Sequence, residues 1–241
     1  SFPSVNLSRG TNFNQAWRDT GAMTSFPSDI DLSAGTNFWA CWYDGAIVSF
    51  PALDLSAGLD FDYAFGNNPD MVSFGACNMN LGRTFSTAWY GNTALTTFPA
   101  GVFDDWAPTS VSANCFLNAW YNCNALTEQS IENILLSISA SGIHPTSNGT
   151  ASGTAIAGKE ITIGLSNSNV DVNNLNPTIR AACTALQSRG WEVVINGSVV
   201  SEYAMSFNGT DEYVDTNLIP DFIHTNATMS FWCKMDNFTG Y

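Results

Sequence analysis

Ser1-Phe2-Pro3, Ser25-Phe26-Pro27, Ser49-Phe50-Pro51, Ser73-Phe74-Gly75 and Thr97-Phe98-Pro99 follow one another at a constant spacing of 24 residues. The residue three places before the Phe stays apolar, as Met23, Ile47, Met71 and Leu95. A second series runs beside the first: Phe13, Phe38, Phe61, Phe85 and Phe116 are each followed four residues later by Trp17, Trp42, Phe65, Trp89 or Trp120. A small residue, Ala16, Cys41, Ala64, Ala88 or Ala119, precedes that second ring, while the interval between units drifts from 23 to 31. A unit of about 24 residues cannot bury its own apolar face, so copies must stack like residue on like residue. The spacing therefore predicts one buried column of Phe2, Phe26, Phe50, Phe74 and Phe98, and another of Trp17, Trp42, Phe65, Trp89 and Trp120. Each fully buried ring contributes about 1.5–3 kcal/mol, which accounts for these aromatics without any ligand.

Beyond the last unit the period becomes helical, with Ile131, Ile134, Leu135 and Ile138 on one face, Thr127 as N-cap and Gly142 as the stop. A polar loop over 141–153 leads to a strand-like stretch at 160–165. A second helix starts at Asn176-Pro177, carries Ile179, Ala182, Cys183 and Leu186 on one face, and stops at Gly190 before a strand over 191–195. This α-β-α-β segment is expected to close the end of the repeat array.

The repeats resemble the BspA-type leucine-rich repeats, whose units have the form Leu-Thr-x-Phe-Pro followed by Phe-x-x-Ala-Trp-x-x-Cys. Phe116-Leu117-Asn118-Ala119-Trp120-Tyr121-Asn122-Cys123 fits most fully, and Thr20, Gly45, Asn68 and Asn92 replace the Cys elsewhere. Further on, 203–215 and Met229-Ser230-Phe231-Trp232-Cys233-Lys234-Met235 resemble inner strands of laminin G-like, concanavalin A-type jelly rolls. The fold expected on these resemblances is a leucine-rich-repeat-like solenoid over 1–126, an α/β cap over 127–200, and the first strands of an all-β jelly roll over 201–241, all within a longer polypeptide. They imply a non-enzymatic adhesion or receptor-binding role. A phage virion fibre or host-attachment component comes first, because phage proteins resembling this array join the same parts. A bacterial cell-surface adhesin is the alternative, and an accessory region of a secreted carbohydrate-active enzyme a second one.

Lys and Arg total 7 against 21 Asp and Glu, a net charge of -14, which disfavours nucleic acid and anionic membranes as partners. No run of about 18 apolar residues occurs, so membrane insertion is not expected. Cys41, Cys77, Cys115, Cys123, Cys183 and Cys233 include no Cys-x-x-Cys pair, and they read as buried free thiols, with a Cys115–Cys123 bridge as the alternative. His144 and His224 lie in polar loops outside any hydrolase or metalloprotease motif. Asp29 with Asp31, Asp60 with Asp62, and Asp104-Asp105 lack calcium-loop spacing and read as solvated turn residues. No catalytic residue, metal or cofactor is expected. If the second ring of each unit points inward, the next residue points out, which makes Tyr43, Tyr90 and Tyr121 the candidate ligand-binding residues, beside Arg18 and Gly66 in the same register; the alternative is that these tyrosines only cover an edge of the solenoid. Their expected partners are a host surface glycan or protein, other virion or surface proteins, and further copies of the chain in a homo-oligomer at the virion or cell surface.

Overall fold

The computed structural model describes residues 5–200, so Phe2, Cys233, His224 and the jelly-roll resemblance of 201–241 lie outside the described residues. The described elements are β1 (Ser49–Phe50), β2 (Ser73–Phe74), α1 (Glu128–Ser141), β3 (Glu160–Ile163), α2 (Pro177–Ser188), β4 (Glu192–Ile195) and β5 (Ser198–Val199). This corrects the expected leucine-rich-repeat solenoid. The described residues hold two helices and two small sheets, β1-β2 and β3-β4-β5, and most of the remaining backbone is turns and isolated bridges.

The physical reason lies in the Phe-x-x-Ala-Trp arms. Alternate N–H groups reach the neighbouring unit, as Phe38 to Asp60 O (2.8 Å), Ala40 to Asp62 O (2.8 Å) and Trp42 to Ala64 O (2.8 Å). Those between them close local turns, as Cys41 to Phe38 O (3.0 Å) and Tyr43 to Ala40 O (3.3 Å). The turns demand left-handed residues, and Ala40, Asp44, Tyr63, Asn67 and Thr87 all have positive φ. Such a path is neither strand nor helix. On the other edge Pro27, Pro51 and Pro99 follow the Phe directly and cannot donate to a ladder, so pairing there is confined to short parallel contacts: Ser25 with Ser49, Ser49 with Ser73, and Ser73 with Thr97.

What the period builds is a set of ring columns. Phe26, Phe50, Phe74 and Phe98 stack with centroids 6.0, 5.4 and 5.4 Å apart. Trp17, Trp42, Phe65, Trp89 and Trp120 form a second column at 5.5, 5.3, 5.5 and 4.9 Å. Phe13, Phe38, Phe61, Phe85 and Phe116 form a third at 5.5, 5.4, 5.3 and 5.3 Å. The longer fifth unit adds Phe103 and Trp106, both buried edge-on against Phe85 and Phe116.

Buried polar side chains close three of the units. Asn68 donates through Nδ2 to Trp42 O (2.8 Å) and Phe65 O (3.1 Å), and its Oδ1 accepts from Ile47 N–H (3.2 Å). It occupies the space left by Gly45, where a Cβ would stand 2.6 Å from Asn68 Oδ1. Asn92 donates to Phe65 O (3.0 Å) and Cys123 Sγ to Trp89 O (3.0 Å). Cys41, Cys77, Cys115, Cys123 and Cys183 are free and buried, including the pair considered for a bridge. Burial pushes the Cys77, Cys123 and Cys183 thiols up to about 12, which keeps them neutral.

Helix α1 starts where Thr127 accepts from Ser130 N–H and ends at left-handed Gly142. Its Ser130 and Ser137 hydroxyls accept from Phe98 N–H (3.0 Å) and Phe103 N–H (2.6 Å), so it packs against the fifth unit. Strand β3 continues from that unit, with Trp120 N–H donating to Thr162 O (3.1 Å). β3, α2 and β4 make a parallel crossover, and a left-handed Asn196-Gly197 turn joins β4 to antiparallel β5. Neither described helix is long and apolar enough to cross a membrane.

Two substitutions probe this packing. Phe50→Ala, at the middle of its column, is expected to lower stability by about 3–5 kcal/mol in urea unfolding. Asn68→Leu keeps the volume but orphans Ile47 N–H and Trp42 C=O, and each orphan is expected to cost about 1–3 kcal/mol in the same measurement.

Candidate functional site

Trp17, Trp42, Phe65, Trp89 and Trp120 are buried, and the residue after each comes toward the surface except at Gly66. Arg18, Tyr43, Tyr90 and Tyr121 are half-buried there, while Gly66 is covered. Backbone bonds hold this stripe in register. Asp19 N–H donates to Tyr43 O (3.0 Å), Asp44 N–H to Gly66 O (3.1 Å), Asn67 N–H to Tyr90 O (2.6 Å) and Gly91 N–H to Tyr121 O (3.0 Å). The four donors all have positive φ, which Asp, Asn and Gly adopt more readily than other residues.

Tyr90 and Tyr121 stack face to face at 5.9 Å with planes 2° apart. Tyr43 lies under the Arg18 guanidinium, 5.4 Å from ring centroid to Cζ, and Arg18 also reaches Asp19 at 3.5 Å. On its other side Tyr43 rests over Gly66, where a Cβ would meet the ring at 3.2 Å. Burial, then the nearby Asp44 carboxylate and Tyr90 phenol, raises the Tyr43 pKa, so its hydroxyl stays a neutral donor and acceptor. The three candidate tyrosines thus share one face, with the glycine step between Tyr43 and Tyr90.

Two further rings belong to this face, and sequence reading missed both. Tyr63 meets Tyr43 edge-on at 5.8 Å, and Trp39 meets Tyr63 edge-on at 6.1 Å. Tyr63 is 39% exposed, the most open ring among the described residues. The one available signal was Trp39 itself, since the residue after the first ring is Asn14, Asp62, Ser86 or Leu117 in the other units. A polar rail borders the stripe: Asn67 Nδ2 donates to Asp44 Oδ1 (2.7 Å), and Asn124 Nδ2 to Asn122 Oδ1 (2.8 Å).

The remaining sequence candidates fall elsewhere. His144 sits with Nδ1 3.2 Å from Arg189 O, remote in sequence from the tyrosines. Asp29, Asp31, Asp104 and Asp105 are exposed, and Asp31 caps its own turn by accepting from Ser33. Among the described residues no group of three His, Cys, Asp or Glu side chains converges to hold a metal. Asp62 departs from the solvated-turn reading. It is half-buried, accepts from Thr84 Oγ1 and from Ser86 N–H (2.8 Å), and stands beside Asp60. Burial is the main cause that pushes its carboxyl up to about 6, with the Asp60 charge adding to it.

No family model matches the chain, and comparison with curated proteins and with solved structures likewise finds no match.

A raised carboxyl pKa means that the folded chain binds the proton more tightly than the unfolded chain. The Asp62 contribution is therefore full below its ordinary value of 3.8 and is lost as pH rises through about 6. Asp62→Asn keeps the oxygen that accepts from Thr84 and Ser86. Thermal unfolding is expected to show a flatter stability–pH curve over that window, and a higher melting temperature than the parent at about pH 8.

Proposed function

We propose that this chain is a non-enzymatic adhesion or receptor-binding structural protein, and that it serves in a phage virion fibre or host-attachment component. The observation that carries the reading is the outward stripe of Tyr43, Tyr90 and Tyr121, held at unit spacing by the backbone. Tyrosine offers a large apolar face and a polar tip at small entropic cost, the combination suited to glycan or protein surfaces. The net charge of -14 disfavours phosphate-rich partners and leaves ring, hydroxyl and amide groups as the contacts. One such face binds weakly, so attachment relies on several copies, whose effective concentration raises avidity by about 10² to 10⁴.

The test is binding of the 241-residue chain to host cells, as a monomer and displayed in multiple copies on beads. Multimers are expected to bind and monomers to bind at least about 100-fold more weakly. Changing Tyr43, Tyr90 and Tyr121 to Ala together is expected to abolish capture with little loss of thermal stability. Multimers that bind no host surface, or hydrolysis of a glycan by the chain, would overturn the reading.

A further inference from the structure

We propose that the tyrosine stripe, with Tyr63 and Trp39 beside it, is a site for an extended, uncharged glycan chain lying along the stacking direction. This rests on the adhesion reading above and names its ligand class.

The first ground is spacing. Adjacent units are joined by parallel backbone bonds, and Tyr90 and Tyr121 repeat that step with ring centroids 5.9 Å apart. A linear pyranose chain advances by about one β-ladder step per sugar, roughly 5 Å, so successive sugars meet successive units in register. The glycine at position 66 removes one side chain from the row, and the Tyr43 ring lies against that place.

The second ground is chemistry. The stacked Tyr90 and Tyr121 faces are turned toward one another, so a sugar lying along the row meets ring edges with its C–H groups and phenol oxygens with its hydroxyls. The stripe supplies the rings, and Asp44 with Asn67 and Asn122 with Asn124 supply acceptors and donors along one side. Tyr63 and Trp39 stand edge-on to one another, and Tyr63 edge-on to Tyr43, so both rings adjoin the row beside Tyr43. The third ground is charge. Among the described residues Asp19 and Asp44 border the stripe, and Arg18 at its edge contacts Asp19 and the Tyr43 ring. A uronic or sialic acid would meet those two carboxylates, whereas a neutral sugar meets none of that repulsion.

The test uses the full chain displayed in multiple copies and probed on printed neutral and carboxylated oligosaccharides of two to about six sugars. Binding is expected on neutral, extended glycans, rising with length from two sugars to four or more. Tyr90→Ala and Tyr63→Ala are each expected to weaken it about tenfold or more, whereas Tyr90→Phe, which keeps the ring, holds most of it. Thermal unfolding of each variant reports whether the fold is intact. Binding only to carboxylated glycans, or binding independent of length and of Tyr63, would overturn the inference. Cell binding that protease treatment of the cells removes, with no glycan bound, would also overturn it in favour of a protein receptor while leaving the adhesion reading intact. Absence of both glycan and cell binding would defeat both.

Discussion

Stacking of planar rings at the spacing of adjacent units is the constraint on which the rest of the described structure depends. Within each column the rings lie nearly parallel, and the Phe26–Phe98 column meets the tryptophan column edge-on: Phe50 approaches Trp42 and Phe65 at 4.9 Å each, with planes 76° and 71° apart, while the Phe13–Phe116 column runs nearly parallel to the tryptophans, as Phe38 to Trp42 at 11°. Each ring of the first two columns so obtains both arrangements that its quadrupole favours. The gain must outweigh a definite cost, because the indole N–H groups of Trp42, Trp89 and Trp120 are buried without a hydrogen-bond partner. An orphaned donor costs about 1–3 kcal/mol, and emptying a buried aromatic site costs about 3–5 kcal/mol, so packing wins at each position. Phe65 holds its place in the same column without that cost.

The same spacing organises the polar interior. In three consecutive units a different side chain makes the equivalent hydrogen bond. Asn68, Asn92 and Cys123 each donate to the carbonyl of the second ring of the preceding unit, Trp42, Phe65 and Trp89. Read as letters, Asn in place of Cys looks like a departure from the repeat. Read as hydrogen-bond chemistry, it is the same rung made with a stronger donor. The series goes on beyond the repeats, where Asn167 donates to Leu126 O at 2.8 Å and Asn196 to Asn167 O at 2.8 Å.

Which side chains face inward was legible in the sequence, because ring size and recurrence state it directly, and the limits of α1 and α2 followed from Thr127, Gly142 and Asn176-Pro177. The path of the backbone was not legible. Asp19, Asp44, Asn67, Gly91 and Asn122 carry the residue types that tolerate positive φ, but Gln15, Ala40, Tyr63 and Thr87 adopt it with no local preference for it. Tertiary packing overrides propensity at those four positions, at a cost of about 1–2 kcal/mol each, and winds the Phe-x-x-Ala-Trp arm into linked turns. The unread backbone path also hid part of the candidate site. Tyr43, Tyr90 and Tyr121 could be placed by adjacency to an inward ring, whereas the exposure of Tyr63 depends on a left-handed turn that alternation does not anticipate.

The five units compare with one another inside a single chain, and the comparison separates what the fold demands from what it leaves free. At the inward position the residue is Trp, Trp, Phe, Trp and Trp, always a ring and always buried. One residue later it is Arg, Tyr, Gly, Tyr and Tyr, so the backbone there accepts a cation, a ring or no side chain at all. The register itself therefore does not demand tyrosine at 43, 90 or 121, where each ring is only half-buried. Partly exposed rings gain less from burial than the columns behind them. On the proposed reading, the face that holds Trp39, Tyr43, Tyr63, Tyr90 and Tyr121 keeps its rings for contact with a partner outside the chain, since the register alone does not demand them.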